Sequence, residues 1–380
     1  MTCFDNILEI LRLIHDPRDM HGKIYALPVI MLLSIMAVLT GANSYRGIRT
    51  FIKTHFIRLK EVFELDWKQA PAYTSIRNIL IGLDPSDVEK AFRDHAAHLD
   101  AQAISAGAYD TPCRVVALDG KVLRGSFDNF QDQKAKQILS AFATDTGLIL
   151  AHIEIDEKSN EIPAAQQLLQ ELKIPFRIAT LDAIHCQKKT FEIAKEENID
   201  MIIQLKDNQP TLSQAVETHC TTAEPLSTTE THDRSKRNRS ETRKAAVFDA
   251  THIVAQTDWE SYIKTVIQIE REVLKKDPKT GLWTSSNEKS FYLSNCSLNA
   301  EQALHAVRCH WHIENKLHHI RDVTFKEDES RIRHKPGIFA RFRSWAGNIL
   351  KINRKEEETV PQQRYAIALG GIEVFASISF

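Results

Sequence analysis

The pattern of apolar and polar positions changes character once along this chain, near residue 113. Before it the periodicity is helical. "IYALPVIMLLSIMAVLTGA" (24–42) is an uncharged run, followed by "SYRGIRTFIKTHFIRLKEVF", by "TSIRNILIGL" with the shape of a helix capped at Thr74 or Ser75, and by "DPSDVEKAFRDHAAHL". Three or four packed helices are expected. The uncharged run is as long as a membrane span, but Pro28, Ser34 and Thr40 thin it, no second span follows, and "HDPRDMHGK" is no signal-peptide start. A buried helix is the expectation, and membrane association the weakest alternative.

After residue 113 the texture alternates. "CRVVALDG" reads as a buried strand that stops at Asp119-Gly120, and "QILSAFATDTGLILAHIEI" as two strands around the Asp145-Thr146-Gly147 turn. Then come a helix ("NEIPAAQQLLQEL"), a strand ending in acid ("FRIATLDA", Asp182), a helix ("QKKTFEIAKEEN") and a strand ("MIIQLK"). The order βββαβαβ is that of an RNase H-like core, an α/β fold with a mixed sheet flanked by helices, in which the strands ending at Asp119 and Asp182 are neighbours. Residues 213–292 interrupt it with a β-rich insertion: "HIVAQTD", "SYIKTVIQIEREVL" and "EKSFYLSN" read as strands, and the basic run "RSKRNRSETRK" (234–244) as a loop, phosphate-contacting or merely solvated. The expected organisation is an all-α N-terminal domain over 1–108, the first part of the core over 109–212, the insertion over 213–292, the rest of the core over 293–355, and a tail over 356–380.

Composition narrows this little. The 380 residues are 43% hydrophobic and 26% charged with a net charge of −1, so a nucleic-acid surface would have to be local rather than a uniform basic coat. Arg46, Arg49, Lys53, Arg58 and Lys60 read as a solvated face before they read as DNA contacts. The six cysteines form no C-x-x-C pair, which fits reduced thiols and a cytoplasmic protein, nucleoid-associated when on DNA.

Chemistry concentrates in "HWHIENKLHHIRDVTFKED" (310–328), expected as one helix. At about 100° per residue, His310, Glu314, His318 and Arg321 share a stripe beside an apolar stripe of Ile313, Leu317 and Ile320. His312 lies about 200° around from His310, so the histidines do not converge on zinc. Two strand-end aspartates and a helix glutamate are the oxygen donors that hard divalent ions take. Asp119, Asp182 and Glu314 are therefore candidate catalytic residues and ligands of two Mg²⁺ or Mn²⁺ ions suited to phosphodiester chemistry. Lys121 and Arg124 would hold a phosphate or balance the acids. Lys158 and Asn160 would cap the next helix, with Glu161 in its first turn, or line the cleft. Glu327 and Asp328, rival third acids, are expected to pair with Arg331 or Arg333.

"ALDGKVLRGS", "DEKSNEIPA", "LDAIHCQK", "LKDNQPTL", "RSETR" and "HWHIENKLHHIRDVTFKEDESRIR", with "DPR" and "MAVLTGA" before them and an Arg-rich helix after, resemble the insertion-sequence transposases of the ISAs type, which include the H-repeat-associated proteins. The resemblance runs from about residue 8 to 350. It implies a DDE-type catalytic domain behind a family-specific helical domain, with Asp119, Asp182 and Glu314 as the triad. The implied activity is metal-dependent hydrolysis and strand transfer at the terminal inverted repeats of a mobile element and on target DNA, by a homodimer or larger assembly with no membrane partner. The alternative is a decayed relative that only binds DNA. Arg237, Arg239, Arg243, His310 and Arg321 are the further candidate phosphate contacts. The chain departs from its relatives at His319, where Trp is usual, and near Arg237-Asn238-Arg239, where His-Gly-Arg is usual. In the wider group the glutamate helix carries Tyr, Arg, Glu and Lys at −7, −4, 0 and +7; here those positions are Val307, His310, Glu314 and Arg321.

Overall fold

The structure, a computed structural model, describes residues 4–19, 21, 23–107, 111–127, 134–155, 160–172, 177–235, 238–355 and 357–380. In chain order the elements are α1 (Asp5–Arg12), α2 (Leu27–Leu39), α3 (Tyr45–Thr54), α4 (Phe56–Val62), α5 (Tyr73–Gly82), α6 (Pro85–Ala106), β1 (Arg114–Val122), β2 (Gln137–Ala143), β3 (Leu148–Ile155), α7 (Glu161–Glu171), β4 (Arg177–Leu181), α8 (Lys188–Glu196), β5 (Met201–Leu205), α9 (Pro210–Thr222), β6 (Ser227–Ser235), β7 (Arg239–Asp249), α10 (Thr251–Val254), β8 (Thr265–Lys276), β9 (Trp283–Ser294), α11 (Ala300–His310), α12 (Pro336–Ile352) and α13 (Val360–Phe375). They form two compact units. One comprises Met1–Tyr109, Gly120–Asn160 and Glu314–Phe380, the other Asp110–Asp119 and Glu161–Ile313. Strand β1 belongs to both; the strand order is β3-β2-β1 in the first and β1-β4-β5-β9-β8-β7-β6 in the second. This is the RNase H-like mixed sheet, with β1/β4 and β4/β5 parallel and the other registered pairs antiparallel.

In the first unit α2 is the uncharged run, and it is buried because it is apolar on every side: Ile30 through Val38 are all 0% exposed. It stops at Thr40 and Gly41, whose φ of +119° leaves the helical region. Among the described residues no helix is long and apolar enough to cross a membrane. Helix α5 starts at Tyr73 without a side-chain cap, so neither Thr74 nor Ser75 caps it; Ser44 and Asp84 cap α3 and α6 instead. The helices of residues 1–108 do not stand apart, since α2 and α6 pack on α12 and α6 packs on β3.

That packing is cemented by one buried carboxylate. Glu89 of α6 takes Arg93 Nε at 2.9 Å and Arg341 Nε at 2.8 Å, and accepts the His152 backbone N–H at 2.6 Å. Arg341 also reaches Glu154 Oε1 at 2.7 Å, while His152 Nε2 lies 3.0 Å from Ser344 Oγ. Burial pushes the Glu89 carboxyl up, but Arg341, His152 and Arg93 outweigh it and hold the pKa at about 2. Burial holds the His152 imidazole at about 4.

In the second unit α11 lies across one sheet face: Ala303, Leu304, Ala306 and Val307 pack on Val115, Ile178, Ile202, Val247 and Ile267. The segment expected as an insertion extends the same sheet, because β9 pairs with β5 through Ile202↔Ser294 to Leu205↔Phe291. "HIVAQTD" is not a strand; it forms α10 and the turn after it. Of the basic run, residues 234–235 and 239–244 are not loop but strand, because β6 and β7 pair from Ser227↔Val247 to Ser235↔Arg239.

Glu89→Gln should lower the unfolding free energy by about 3–5 kcal/mol in urea titration, because removing one charge strands its buried partners. Both depressed pKa values act in the same direction with pH. From 6.5, the His reference, down to about 4 the unfolded chain takes up a proton that folded His152 refuses, and from 4.5 down to about 2 the same holds for Glu89. The thermal midpoint should fall steadily as pH drops below 6.5; a flat profile between pH 7 and 3 would contradict this account.

Candidate active site

Parallel register brings the two aspartates together. β1 and β4 pair as Arg114↔Arg177, Val115↔Ile178, Val116↔Ala179 and Ala117↔Thr180. Continued by two residues, that register sets Asp119 opposite Asp182, on strands about 4.8 Å apart. Side chains alternate, so Asp119 shares a face with Val115, and Asp182 with Ile178. Both of those apolar residues pack under α11. The carboxylates therefore stand at the carboxyl end of the sheet, on the face α11 covers. Strand β1 does not stop at Asp119-Gly120 as expected but continues to Val122, so Asp119 is held by strand geometry rather than by a turn.

His310, at the end of α11, meets this edge. Its Nε2 lies 3.2 Å from Asp182 Oδ1 and its Nδ1 3.0 Å from Thr180 Oγ1. In the tautomer that donates Nε2–H to Asp182, Nδ1 accepts the Thr180 hydroxyl. The imidazole is thereby committed to the aspartate, and not presented as a phosphate contact. Its hydrogen bond outweighs partial burial and holds the Asp182 carboxyl below the usual range, so this acid is ionised at neutral pH. Two groups escaped the sequence reading. Thr180 lacks any signal outside the fold, but "LKDNQPTL" contains a clamp: Asn208 Nδ2 donates to the Ala183 carbonyl at 2.7 Å and Gln209 Nε2 to that of Cys186 at 2.9 Å, fixing the turn after Asp182. Beneath that turn buried His185 lies 3.2 Å from Glu161.

Glu314 opens the C-terminal segment of the first unit. It is exposed and has no ion pair among the described residues. The single helix expected over 310–328 is broken here: α11 ends at His310, and Ile313–His318 and Ile320–Thr324 are π-helical. A π turn holds about 4.4 residues instead of 3.6, so the +7 position swings to the side opposite Glu314 rather than onto its face. Arg321 obeys this. It is 1% exposed and its Nε lies 2.8 Å from Glu327 Oε2, with Arg343 Nη1 3.3 Å from the other oxygen. Arg321 is thus no phosphate contact here, and Glu327, expected to pair with Arg331 or Arg333, is instead fully committed to Arg321 and Arg343. Burial works against the Glu327 charge, but the two guanidinium groups hold its pKa low.

The other candidate cations are also engaged. Lys121 Nζ lies 2.6 Å from Asp322 and 4.0 Å from Asp328, and is 9% exposed. Arg124 stays open to solvent with Asp328 3.6 Å away. Arg239 pairs with Glu241 at 3.2 Å, and Arg243 with both Asp233 and Glu241 at 2.7 Å. Arg237 and Lys158 lie outside the described residues. Gly125 of "VLRGS" is dictated by a close approach, because a Cβ there would fall 1.9 Å from the Ser330 carbonyl oxygen. Among the described residues no three His, Cys, Asp or Glu side chains converge as a metal cluster.

The sheet is of the RNase H-like kind, and comparison with known proteins is specific. Residues 111–349 match the family described as "Transposase DDE domain", and residues 8–96 the family described as "DDE_Tnp_1-associated". The chain belongs to the DDE transposase family. Among its relatives in Escherichia coli strain K12, YbfL is 31% identical over 359 residues, covering 90% of each chain. YhhI, named as an H repeat-associated transposase, is 31% identical over 361 residues with the same coverage. YncI of Escherichia coli O157:H7, named as a transposase, is 29% identical over 389 residues, covering 98% of this chain and 95% of its own.

His310→Ala should raise the Asp182 carboxyl pKa, followed by carboxyl carbon NMR titration; an unmoved titration would show that the imidazole does not hold the acid. Gly125→Ala should cost about 1–3 kcal/mol of stability, because a backbone carbonyl cannot rotate away as a side chain would. Urea unfolding measures it, and an unchanged midpoint would mean the β1 turn and the Ser330 strand part freely.

Proposed function

We propose that this protein is a metal-dependent DNA transposase that hydrolyses a strand at the ends of an insertion sequence and joins the freed 3′ hydroxyl to target DNA. One observation supports the reading: the β1/β4 register, recorded to Ala117↔Thr180 and continued by two residues, would set Asp119 level with Asp182 at the carboxyl edge of the sheet, in a chain of the DDE transposase family. Glu314, an exposed carboxylate four residues after His310 in the chain, is the proposed third acid.

The residues fit divalent magnesium or manganese. Their donors are hard carboxylate oxygens, Asp182 is held ionised, and Mg²⁺ needs only one or two carboxylates beside water and phosphate. Asp119, Asp182 and Glu314 would hold two ions, which when bound supply activation of the attacking oxygen and neutralisation of the leaving one. The chain's own part is positional. The sheet fixes the spacing of the aspartates, His310 and Thr180 orient Asp182, and the Asn208–Gln209 clamp keeps the turn beyond it from relaxing. Among the described candidates Arg124, open to solvent beside Asp328, is the cation best placed to meet a phosphate; Lys121, Arg239 and Arg243 would have to exchange their acid partners for one. Holding two element ends together calls for a dimer or larger assembly on DNA.

Asp119→Asn, Asp182→Asn and Glu314→Gln should each reduce Mg²⁺-dependent nicking of element ends by at least about a thousandfold, with end binding retained in gel shift. Equal nicking by Glu314→Gln would remove Glu314 from the site. A wild-type protein that binds ends and never nicks, with Mg²⁺ or Mn²⁺, would be a DNA-binding protein only.

A further inference from the structure

Strand β9 has an open side in the second unit. Residues 291–294 lie between β5 and β8, but from Trp283 to Ser290 the strand pairs with β8 alone. Residues 283–289 are all exposed, and Leu282 and Trp283 are 68% and 55% open to solvent. Outside the pairing with β8, none of the backbone groups of 283–289 is hydrogen-bonded to backbone among the described residues. Alternate N–H and C=O groups on that side therefore face water, a template for another strand. The usual obstacles are missing: "WTSSNEK" has no proline or glycine, and its register with β8 runs from Thr265↔Ser294 to Lys276↔Trp283 without a bulge. At the far edge of the sheet, by contrast, β6 carries Glu230, His232, Asp233 and Arg234. The open stretch is also self-complementary about Ser286. Laid antiparallel on its own copy, Ser286 meets Ser286, Ser285 meets Asn287, Thr284 meets Glu288 and Trp283 meets Lys289. No like charges meet, and each pair shares a face of the sheet. That register fits the room available, since it ends two residues short of Phe291, where Leu205 of β5 takes up the same side. Glu288 and Lys289 cancel, so this edge has no excess charge to draw a polyanion.

We propose that residues 283–289 of β9 pair with the same residues of a second copy, joining two sheets about a two-fold axis at Ser286. An edge of seven residues, about 24 Å long, supplies only part of the roughly 800 Å² per partner of a stable complex, so the contact is weak in the free chain. It tightens where two copies are held on one DNA molecule, at an effective concentration on the order of millimolar. That tightening rests on the transposase reading; the pairing itself does not, and its test uses neither DNA nor metal.

Sedimentation equilibrium of the full chain, taken up to several hundred micromolar, should show a monomer–dimer equilibrium. A charge on the axis faces its own copy, so Ser286→Lys and Ser286→Glu should each weaken the dimer about fivefold, and an equimolar mixture of the two should restore it. Off the axis the sign matters. Thr284→Glu sets two like pairs against Glu288 and should weaken the dimer, whereas Thr284→Lys should strengthen it. Both positions are exposed, and thermal midpoints near wild type show that the variants are folded. A chain that stays monomeric throughout overturns the proposal. So does a dimer indifferent to these charges, or one that responds to opposite signs at position 286 in opposite directions.

Discussion

Everything at the candidate site depends on one parallel strand pairing. Hydrogen bonds between β1 and β4 are registered to Ala117↔Thr180, and that register, continued by two residues, sets the level of two aspartates far apart in the chain. A slip of one residue would turn one carboxylate to the opposite face, and a slip of two would leave it on the right face but about 7 Å away along the strand. The register is protected from both sides, by apolar packing of α11 over Val115 and Ile178 and by the side-chain clamp on the turn beyond β4. Precision here is a property of the sheet, and the side chains near the acids refine it.

Cations in this protein serve the fold before they serve a ligand. Arg341, Arg343 and Arg321 are buried and bind Glu89, Glu154 and Glu327, so the Arg-rich C-terminal helix acts as a spine to which the N-terminal helices and the π-helical segment are tied. Arg364 extends the pattern: it donates to the Val38 and Leu39 carbonyls at the open end of α2 and stacks on Phe325. A near-neutral net charge is what such internal pairing leaves behind. The helical segment matched as a transposase-associated region thus shares a core with the end of the chain.

Much of this was legible in the sequence, for physical reasons that differ by element. Strands β1, β4 and β5 announce themselves because both faces of the parallel part of the sheet are buried and the runs 115–118, 178–181 and 201–205 carry no charge, so the acids after the first two stand out. The β6–β7 hairpin is illegible in the sequence because its charged residues pair with one another, Arg243 with Asp233 across the strands and with Glu241 along β7, and a run such as "RSETRK" has no apolar alternation to betray it. The pairing of Glu327 with Arg321 and Arg343 was misjudged because sequence proximity favoured Arg331 and Arg333, while the true partners arrive by the fold. For His310 the helix spacing suggests a phosphate contact, while in the fold its imidazole is hydrogen-bonded to Asp182.

The widened turns after His310 bear on the chain's ancestry. A π turn is what an α-helix becomes when one residue is inserted without disturbing the packing on either side. A lineage that gained such a residue between the −4 position and the +7 position would keep every landmark letter of an ancestral signature and lose the meaning of its count. In this protein the residue seven places after Glu314 is still basic, arginine rather than lysine, and lies in the core.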